Sequence, residues 1–177
     1  MDVVRLHDLN FRTYIPSETI RQRISEMAAA MNYDLRHEKP LFIGILNGVF
    51  MFAGELMQQL NIECEITFVK LSSYEGTSSS GKVKTLIGLN ADLKGRNVVI
   101  IEDIVDTGKT VSEFLKYIHT LQPESVRIAA LLFKPDALES DMEIDYIGFK
   151  VPNEFLVGFG LDYDGLGRNL KDIYVRV

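Results

Sequence analysis

The sequence predicts an α/β fold in which a mostly parallel sheet is flanked by helices. Apolar runs of strand length alternate with helical patterns through the first 133 residues, which is the order that parallel sheets require. The 177 residues fit one domain, and 46% of them are hydrophobic, enough to bury a substantial core. We therefore expect a single domain over residues 1–177, with a small β-rich hood built from the C-terminal segment that starts at about residue 134.

The first elements follow one another as helix, strand, helix and strand. Ser17 can cap a helix whose apolar residues recur at helical spacing up to Met31. The run "LFIGIL" is apolar throughout and has strand length, and an Asn-Gly pair then leads into the helical pattern "VFMFAGELMQQL". From Ile62 onward, "IECEITFVKLSSY" alternates apolar and polar residues, which predicts a half-buried strand.

The later elements continue the alternation and then change character. "VKTLIGL" is extended, "VVIIEDIV" predicts a buried strand, and "VSEFLKYIHTL" has helical spacing. "VRIAALLFKP" predicts a strand that Pro135 stops. The remaining segments "YIGF", "FLVGFGLDY" and "IYVRV" are short and have no long helix between them, which is why we predict the hood there.

Charge and cysteine content exclude several classes of function. The net charge of −6 argues against a general nucleic-acid or membrane surface, so we expect neither partner. The single Cys64 cannot form an intramolecular disulfide, in agreement with a reducing compartment. We see no signal-peptide pattern and no apolar run near the roughly 20 residues that span a bilayer. We expect a cytoplasmic location.

The stretch "VVIIEDIVDTGKT" carries the chemistry that the sequence reveals most clearly. Ligands of open α/β sheets bind beyond the carboxyl ends of the strands, where this stretch opens a helix. Backbone N–H groups and the helix dipole form an anion site there, and Gly108 lets the chain approach a phosphate closely. A nucleotide P-loop also needs a glycine five residues before Gly108, but that position is Asp103. The stretch is therefore not a P-loop.

The adjacent carboxylates Glu102 and Asp103 need a partner other than phosphate. Sugar hydroxyls and Mg²⁺ both suit carboxylate oxygens, so the stretch predicts acids on a ribose diol beside amides on its 5-phosphate. The alternative is a solvated acidic loop before a helix, which the helix dipole also favours.

The stretch resembles the phosphoribosyl diphosphate (PRPP) signature of type I phosphoribosyltransferases. Asp106 makes it similar to the hypoxanthine-guanine branch, because adenine and orotate enzymes typically carry a small residue there. The resemblance implies that Asp106 is catalytic and that Glu102 and Asp103 are also metal ligands for Mg²⁺. It implies a PRPP site formed by Glu102, Asp103, Asp106, Thr107, Gly108, Lys109 and Thr110.

Two further loops extend the resemblance. In "GILNGVFMF", it implies that Leu46, Asn47 and Gly48 bind pyrophosphate through backbone amides, often around a strained or cis peptide. Some members have Lys at the position of Asn47, so this chain lacks that cation. In "KLSSYEGTSSSGKVK", it implies that Ser73 and Tyr74 belong to a lid, whereas the composition alone indicates only a mobile surface loop.

The base site is implied by "LLFKP" and "EFLVGFGLDYDGLGRNL". Lys134 would contact O6 of the purine, Phe155 would stack on the base, and the Leu156 backbone would bind the purine edge. Asp162 would complete the base site and help to hold a second Mg²⁺, and Arg168 would contact pyrophosphate. Taken without this context, a lysine ending a strand usually faces solvent and Phe155 would be a core residue.

The resemblance implies a 6-oxopurine phosphoribosyltransferase that converts hypoxanthine or guanine plus PRPP into IMP or GMP plus pyrophosphate, for purine salvage. It also implies a homodimer or homotetramer. A xanthine-guanine enzyme is an alternative, although the absence of Trp argues against an indole-stacked base site. An RNA-binding regulator with a transferase fold is another alternative, but it would show a basic face and a different residue at Asp106.

Overall fold

The computed structural model describes residues 3–72 and 84–177. These residues form ten strands and three α-helices. In chain order the elements are β1 (Val3–Leu6), β2 (Leu9–Ile15), α1 (Ser17–Asp34), β3 (Leu41–Leu46), α2 (Phe50–Met57), β4 (Glu65–Ser72), β5 (Lys84–Ile87), β6 (Asn97–Val105), α3 (Lys109–Thr120), β7 (Ser125–Phe133), β8 (Tyr146–Lys150), β9 (Leu156–Val157) and β10 (Ile173–Arg176).

The main sheet has six strands in the order β5-β4-β3-β6-β7-β8. Five strands run parallel to one another, namely β4, β3, β6, β7 and β8, whereas β5 pairs antiparallel with β4. This confirms the predicted mostly parallel sheet. Its central strands carry long apolar runs because each of them is covered on both faces.

Helices cover both faces of the main sheet. Alternate residues of β6 point to opposite sides, so Val99 packs in the core that holds α1 and α2 while Val98 packs in the core under α3. The same alternation separates Phe42 from Ile43 in β3. None of the helices in the described ranges is both long and apolar enough to cross a membrane.

The hood differs from the predicted one in the origin of its strands. Its antiparallel order is β1-β2-β10-β9, so half of it comes from the N-terminus. Conversely, β8 lies inside the segment predicted to form the hood but pairs with β7 in the main sheet. The physical reason is that β2 pairs with β10, and the alternation within a strand does not identify a partner at the other end of the chain.

The first helix begins differently from the predicted capped start. Pro16 occupies the N-cap position, and Ser17 is already the first helical residue without a side-chain cap. The Ser17 backbone N–H instead donates to Oδ1 of the buried Asp172, 2.7 Å away, and the Tyr174 hydroxyl lies 3.3 Å from Oδ2. A carboxylate that directly precedes β10 therefore satisfies the start of α1 and joins the hood to a helix that packs on the main sheet.

Candidate active site

The predicted site residues gather where the parallel strands β3, β6 and β7 end. Candidate side chains or amides lie at the end of each strand: Leu46 ends β3 and residues 47–48 follow it, residues 106–110 follow β6, and Lys134 follows β7. We call residues 106–110 the phosphate loop. The carboxyl edge of an open parallel sheet is where such folds bind ligands, so this placement agrees with the expectation from the sequence.

The phosphate loop turns from β6 into α3 and borders a pocket of about 240 Å³. Gly108 is the N-cap residue of α3 and has a φ of 76°, a left-handed conformation that favours glycine. The Lys109 backbone N–H lies 3.4 Å from Oγ1 of Thr107. The pocket is lined by Ile45, Leu46, Leu71, Glu102, Ile104, Val105, Asp106, Thr107, Gly108, Lys109, Thr110 and Val111.

The side chain of Lys109 is exposed but does not point freely into solvent. Its ammonium forms an ion pair with Glu139 at 2.7 Å, although both side chains are largely exposed. Thr110, in the first turn of α3, is exposed at the rim of the pocket. The phosphate loop therefore offers backbone amides and two threonine hydroxyls to an anion, while its lysine is already paired.

The acidic pair, Glu102 and Asp103, lies in the last residues of β6, which ends at Val105, and both side chains are largely buried. Asp103 is 8% exposed, and its Oδ1 accepts the Ile104 backbone N–H at 3.0 Å. Oε2 of Glu102 is buried and has no hydrogen-bond partner among the described residues. A buried acceptor without a donor is destabilising, so its presence at a pocket indicates a place for a ligand.

Burial controls the ionisation of both acids. Burial raises the pKa of Glu102 well above the ordinary carboxyl range, and the adjacent Asp103 raises it further. Burial also raises the pKa of Asp103, although hydrogen bonds from Glu102 and the Ile104 amide act in the opposite direction. A proton on Glu102 can be donated to the Asp103 carboxylate, so the ligand-free pair favours one shared proton over two charges.

Residues 46–48, which we call the predicted pyrophosphate loop, lie directly against Asp103 of the acidic pair. The peptide between Leu46 and Asn47 is cis, the form that the resemblance associates with this loop. A Cβ at Gly48 would overlap the Asp103 carboxylate, and a Cβ at Gly160 would overlap the Gly48 carbonyl oxygen. Two glycines therefore let the loop, the acidic pair and the hood approach one another closely.

Arg168 and Asp162 form an ion pair at the hood side of the site. Their nearest atoms are 2.7 Å apart, and Arg168 Nη1 also donates to the Gly160 carbonyl at 2.8 Å. Asp162 additionally accepts the Gly165 backbone N–H at 2.7 Å. The positive charge of Arg168 lowers the pKa of Asp103 against the larger effect of burial. The hood thus brings one cation to the acidic pair.

Lys134 is buried, whereas a lysine at the end of a strand usually faces solvent. Its side chain is 8% exposed, and its ammonium contacts Oδ2 of Asp106 at 2.7 Å. Oδ1 of Asn153 lies 3.5 Å away on another side. The sequence interpretation did not identify Asn153, whose only signal was its position two residues before Phe155.

Phe155 lies at the surface rather than in the core. It is 41% exposed, and its ring meets the Tyr163 ring edge-on at 5.6 Å and the Phe11 ring at 5.9 Å. The next residue, Leu156, is buried in β9. An exposed ring held by two aromatic neighbours presents a face on which a planar ligand can stack.

The structure therefore brings most of the predicted residues to one edge of the sheet. Ser73 and Tyr74, the predicted lid residues, lie outside the described residues. The sequence interpretation also missed the contribution of Gly160 and of Glu139, because both depend on contacts between distant segments.

Comparison with known proteins gives the same picture. The model of the phosphoribosyl transferase domain matches residues 15–164. The chain is 43% identical over 161 residues to a hypoxanthine-guanine phosphoribosyltransferase of Streptococcus mutans, covering 90% of this chain and 88% of the relative. The enzyme of that name from Bacillus subtilis is 36% identical over 170 residues, covering 96% and 94%. A crystal structure of a hypoxanthine-guanine phosphoribosyltransferase from Bacillus anthracis superimposes with a TM-score of 0.89 at 33% identity, covering 94% and 98%.

Replacing Glu102 by Gln should stabilise the ligand-free protein more at high pH than at low pH. Because the folded-state pKa of Glu102 is raised, the folded state binds more protons than the unfolded state above about pH 4, and stability falls as pH rises through the folded-state pKa. Glutamine removes that loss. We expect the Tm gain of Glu102→Gln over the parent, measured in EDTA, to be at least about 2 °C larger at pH 8 than at pH 4.5.

The matched control is Glu124→Gln, which changes an exposed glutamate after α3 and should show no pH-dependent gain. An equal gain for Glu102→Gln at both pH values would contradict the buried, proton-binding state of this acid.

Proposed function

This chain belongs to the phosphoribosyltransferase family, and on that basis we propose that it converts hypoxanthine or guanine plus PRPP into IMP or GMP plus pyrophosphate, a reaction of purine salvage. The observation that carries the proposal is the ion pair between Lys134 and Asp106 at the end of β7 and β6, 2.7 Å apart and next to an anion loop.

This pair offers one donor and one acceptor side by side. On a 6-oxopurine, O6 and N7 lie next to each other on one edge, close enough for a single side chain to contact both. Lys134 can donate to O6 while Asp106 accepts from a protonated N7. Adenine carries an amino group in place of O6, which would leave the buried ammonium of Lys134 facing a second donor.

The hood supplies the remaining contacts with the base. The exposed face of Phe155 supports stacking, since Tyr163 and Phe11 already hold the ring at its sides. The Leu156 backbone follows directly in β9 and can bind the purine edge. Stacking gives affinity without selectivity, so the choice of base rests on Lys134 and Asp106.

The two anion loops hold the ends of PRPP. The phosphate loop presents amides and threonine hydroxyls to the 5-phosphate, and Glu102 lines the same pocket. The Asp103 carboxylate lies beside it against Gly48, and both acids would bind the ribose diol. Residues 46–48 and Arg168 hold the pyrophosphate end. Fixing both ends of the sugar orients C1′ toward the base, which is the positioning that transfer reactions need.

The acids fit Mg²⁺ as the metal of this reaction. Glu102, Asp103 and Asp162 offer oxygen ligands, and Oε2 of Glu102 is a buried acceptor without a partner in the described part of the chain. The described residues contain no cluster of three or more ligands able to hold a metal without substrate. Mg²⁺ is typically bound by one or two carboxylates plus substrate phosphates, and when bound it neutralises the charge of pyrophosphate.

Asp106 acts as the general base of the reaction. As N9 of the purine forms its bond to C1′, the bond from C1′ to pyrophosphate breaks, and Asp106 accepts the proton from N7. Its negative charge also favours the positive charge that develops on the ribosyl group. Ser73 and Tyr74 would close over this centre and exclude water, which would otherwise hydrolyse PRPP.

The proposal extends to the organisation of the protein. We propose one phosphoribosyltransferase domain over residues 1–177. We further propose that the protein is a cytoplasmic homodimer or homotetramer and that it binds neither nucleic acid nor a membrane.

Asp106→Asn should reduce kcat strongly while PRPP affinity changes little. Asparagine keeps the shape of the side chain but removes the base, and the phosphate loop amides remain in place. General base catalysis is typically worth on the order of 10²–10⁴-fold, and we expect a loss of kcat within or just below that range. Steady-state kinetics across pH 6–9 measure the loss. Turnover near the parent rate throughout that range would make Asp106 a structural loop residue.

Lys134→Ala should raise the KM for hypoxanthine at least about tenfold, the effect of losing one charged hydrogen bond, with the KM for PRPP changed less than about twofold. Lys134→Met is the matched variant, because it retains an apolar stem of similar length without the ammonium. Both variants should show the same split between base and PRPP. A loss of PRPP affinity at constant base KM would place Lys134 at the wrong end of the site.

A further inference from the structure

We propose that residues 138–142, here called the backing segment, position the phosphate loop by fixing the direction of its backbone amides. The segment follows β7 and a short 3-10 turn, and it lies behind the loop rather than in the pocket. The inference rests on the proposed function in one respect only, namely that the phosphate loop binds the 5-phosphate of a ribose.

The backing segment contacts the phosphate loop through three kinds of interaction. The Glu139 backbone N–H donates to the Thr107 carbonyl at 3.0 Å. The Glu139 carboxylate pairs with Lys109 at 2.7 Å. A Cβ at Gly108 would lie only 2.7 Å from Leu138 Cδ1 and 2.8 Å from Ser140 Oγ, so the segment packs directly on the Gly108 backbone.

The hydrogen bond from Glu139 determines where the next amide points. A trans peptide is planar, and its C=O and N–H groups point in opposite directions. The Thr107 carbonyl points to the backing segment, so the Gly108 N–H must point away from it. Residues of the phosphate loop line the pocket on their other side, and the Gly108 N–H has no acceptor among the described residues.

Packing keeps this orientation from relaxing. Rotation of the peptide between Thr107 and Gly108 would break the hydrogen bond from the Glu139 N–H. Leu138 and Ser140 also leave no space for Gly108 to shift toward the backing segment. An amide that is oriented before the ligand arrives needs no reorganisation on binding, so its hydrogen bond to an anion costs less free energy to form. Residues 138–142 are therefore positioning residues, and they do not touch the substrate.

The direct test removes the Glu139 N–H, and a control variant accounts for the loss of its carboxylate. Glu139→Pro lacks the donor, and the preceding Leu138 has φ −64° and ψ 122°, an extended conformation that a following proline favours. Glu139→Gln is the matched control, because it keeps the N–H and loses only the charge that pairs with Lys109. The probe is ribose 5-phosphate, and its dissociation constant is measured by calorimetry.

We expect Glu139→Pro to weaken ribose 5-phosphate binding about tenfold, which corresponds to about 1.4 kcal/mol, and Glu139→Gln to change it less than about twofold. The amide signal of Gly108 in an NMR titration with ribose 5-phosphate should shift in the parent and in Glu139→Gln, and should respond much less in Glu139→Pro. Unchanged binding by the proline variant, or equal weakening by both variants, would overturn the proposal.

If Glu139→Pro does not fold, Ser140→Val provides the second variant, with Ser140→Ala beside it. Valine adds volume against Gly108 and should weaken ribose 5-phosphate binding severalfold, whereas alanine should not. Equal binding by all three proteins would overturn the proposal. Turnover of hypoxanthine with PRPP is assayed separately in the parent, so a failure of the proposed function is distinguished from a failure of this one.

Discussion

The pairing of β6 between β3 and β7 is the constraint on which the site depends. The register aligns Val105 with Phe133, the last residues of their strands, so the residues that follow, Asp106 and Lys134, emerge side by side. The Lys134 backbone N–H also bonds the Val105 carbonyl at 2.9 Å. The side-chain ion pair at 2.7 Å is therefore a consequence of strand register. A shift of β7 by one residue would move Lys134 away from Asp106 and turn the side chains of β7 to the opposite face of the sheet.

The same edge of the sheet holds groups that destabilise the folded protein when no ligand is bound. Glu102 has a buried oxygen without a partner, and burial raises the pKa of both Glu102 and Asp103. Gly48 and Gly160 give up side-chain packing so that the pyrophosphate loop and the hood can approach. A sequence optimised only for stability would avoid these features, and their concentration at one pocket is what distinguishes a functional site from an ordinary strand end.

Much of the fold and the site could be predicted because the information is local. The buried central strands contain long apolar runs, and the acids, Gly108 and Asp106 lie in one stretch of thirteen residues, 98–110. The N-terminal half of the hood could not be predicted, because β2 pairs with β10 from the opposite end of the chain. Ser17 was expected to cap its own helix, but the cap comes from Asp172 in the hood. The backing segment gave no signal, since its effect depends on packing against Gly108.

The most direct measurement is the initial rate of PRPP consumption with hypoxanthine, guanine, xanthine and adenine in the presence of Mg²⁺. The pairing of Lys134 with Asp106 predicts efficient use of hypoxanthine or guanine and a kcat/KM for adenine at least about 10²-fold lower, because sites built around hydrogen bonds to a substrate reject analogues that leave those groups unpaired. Adenine turnover comparable to that of hypoxanthine would contradict the account.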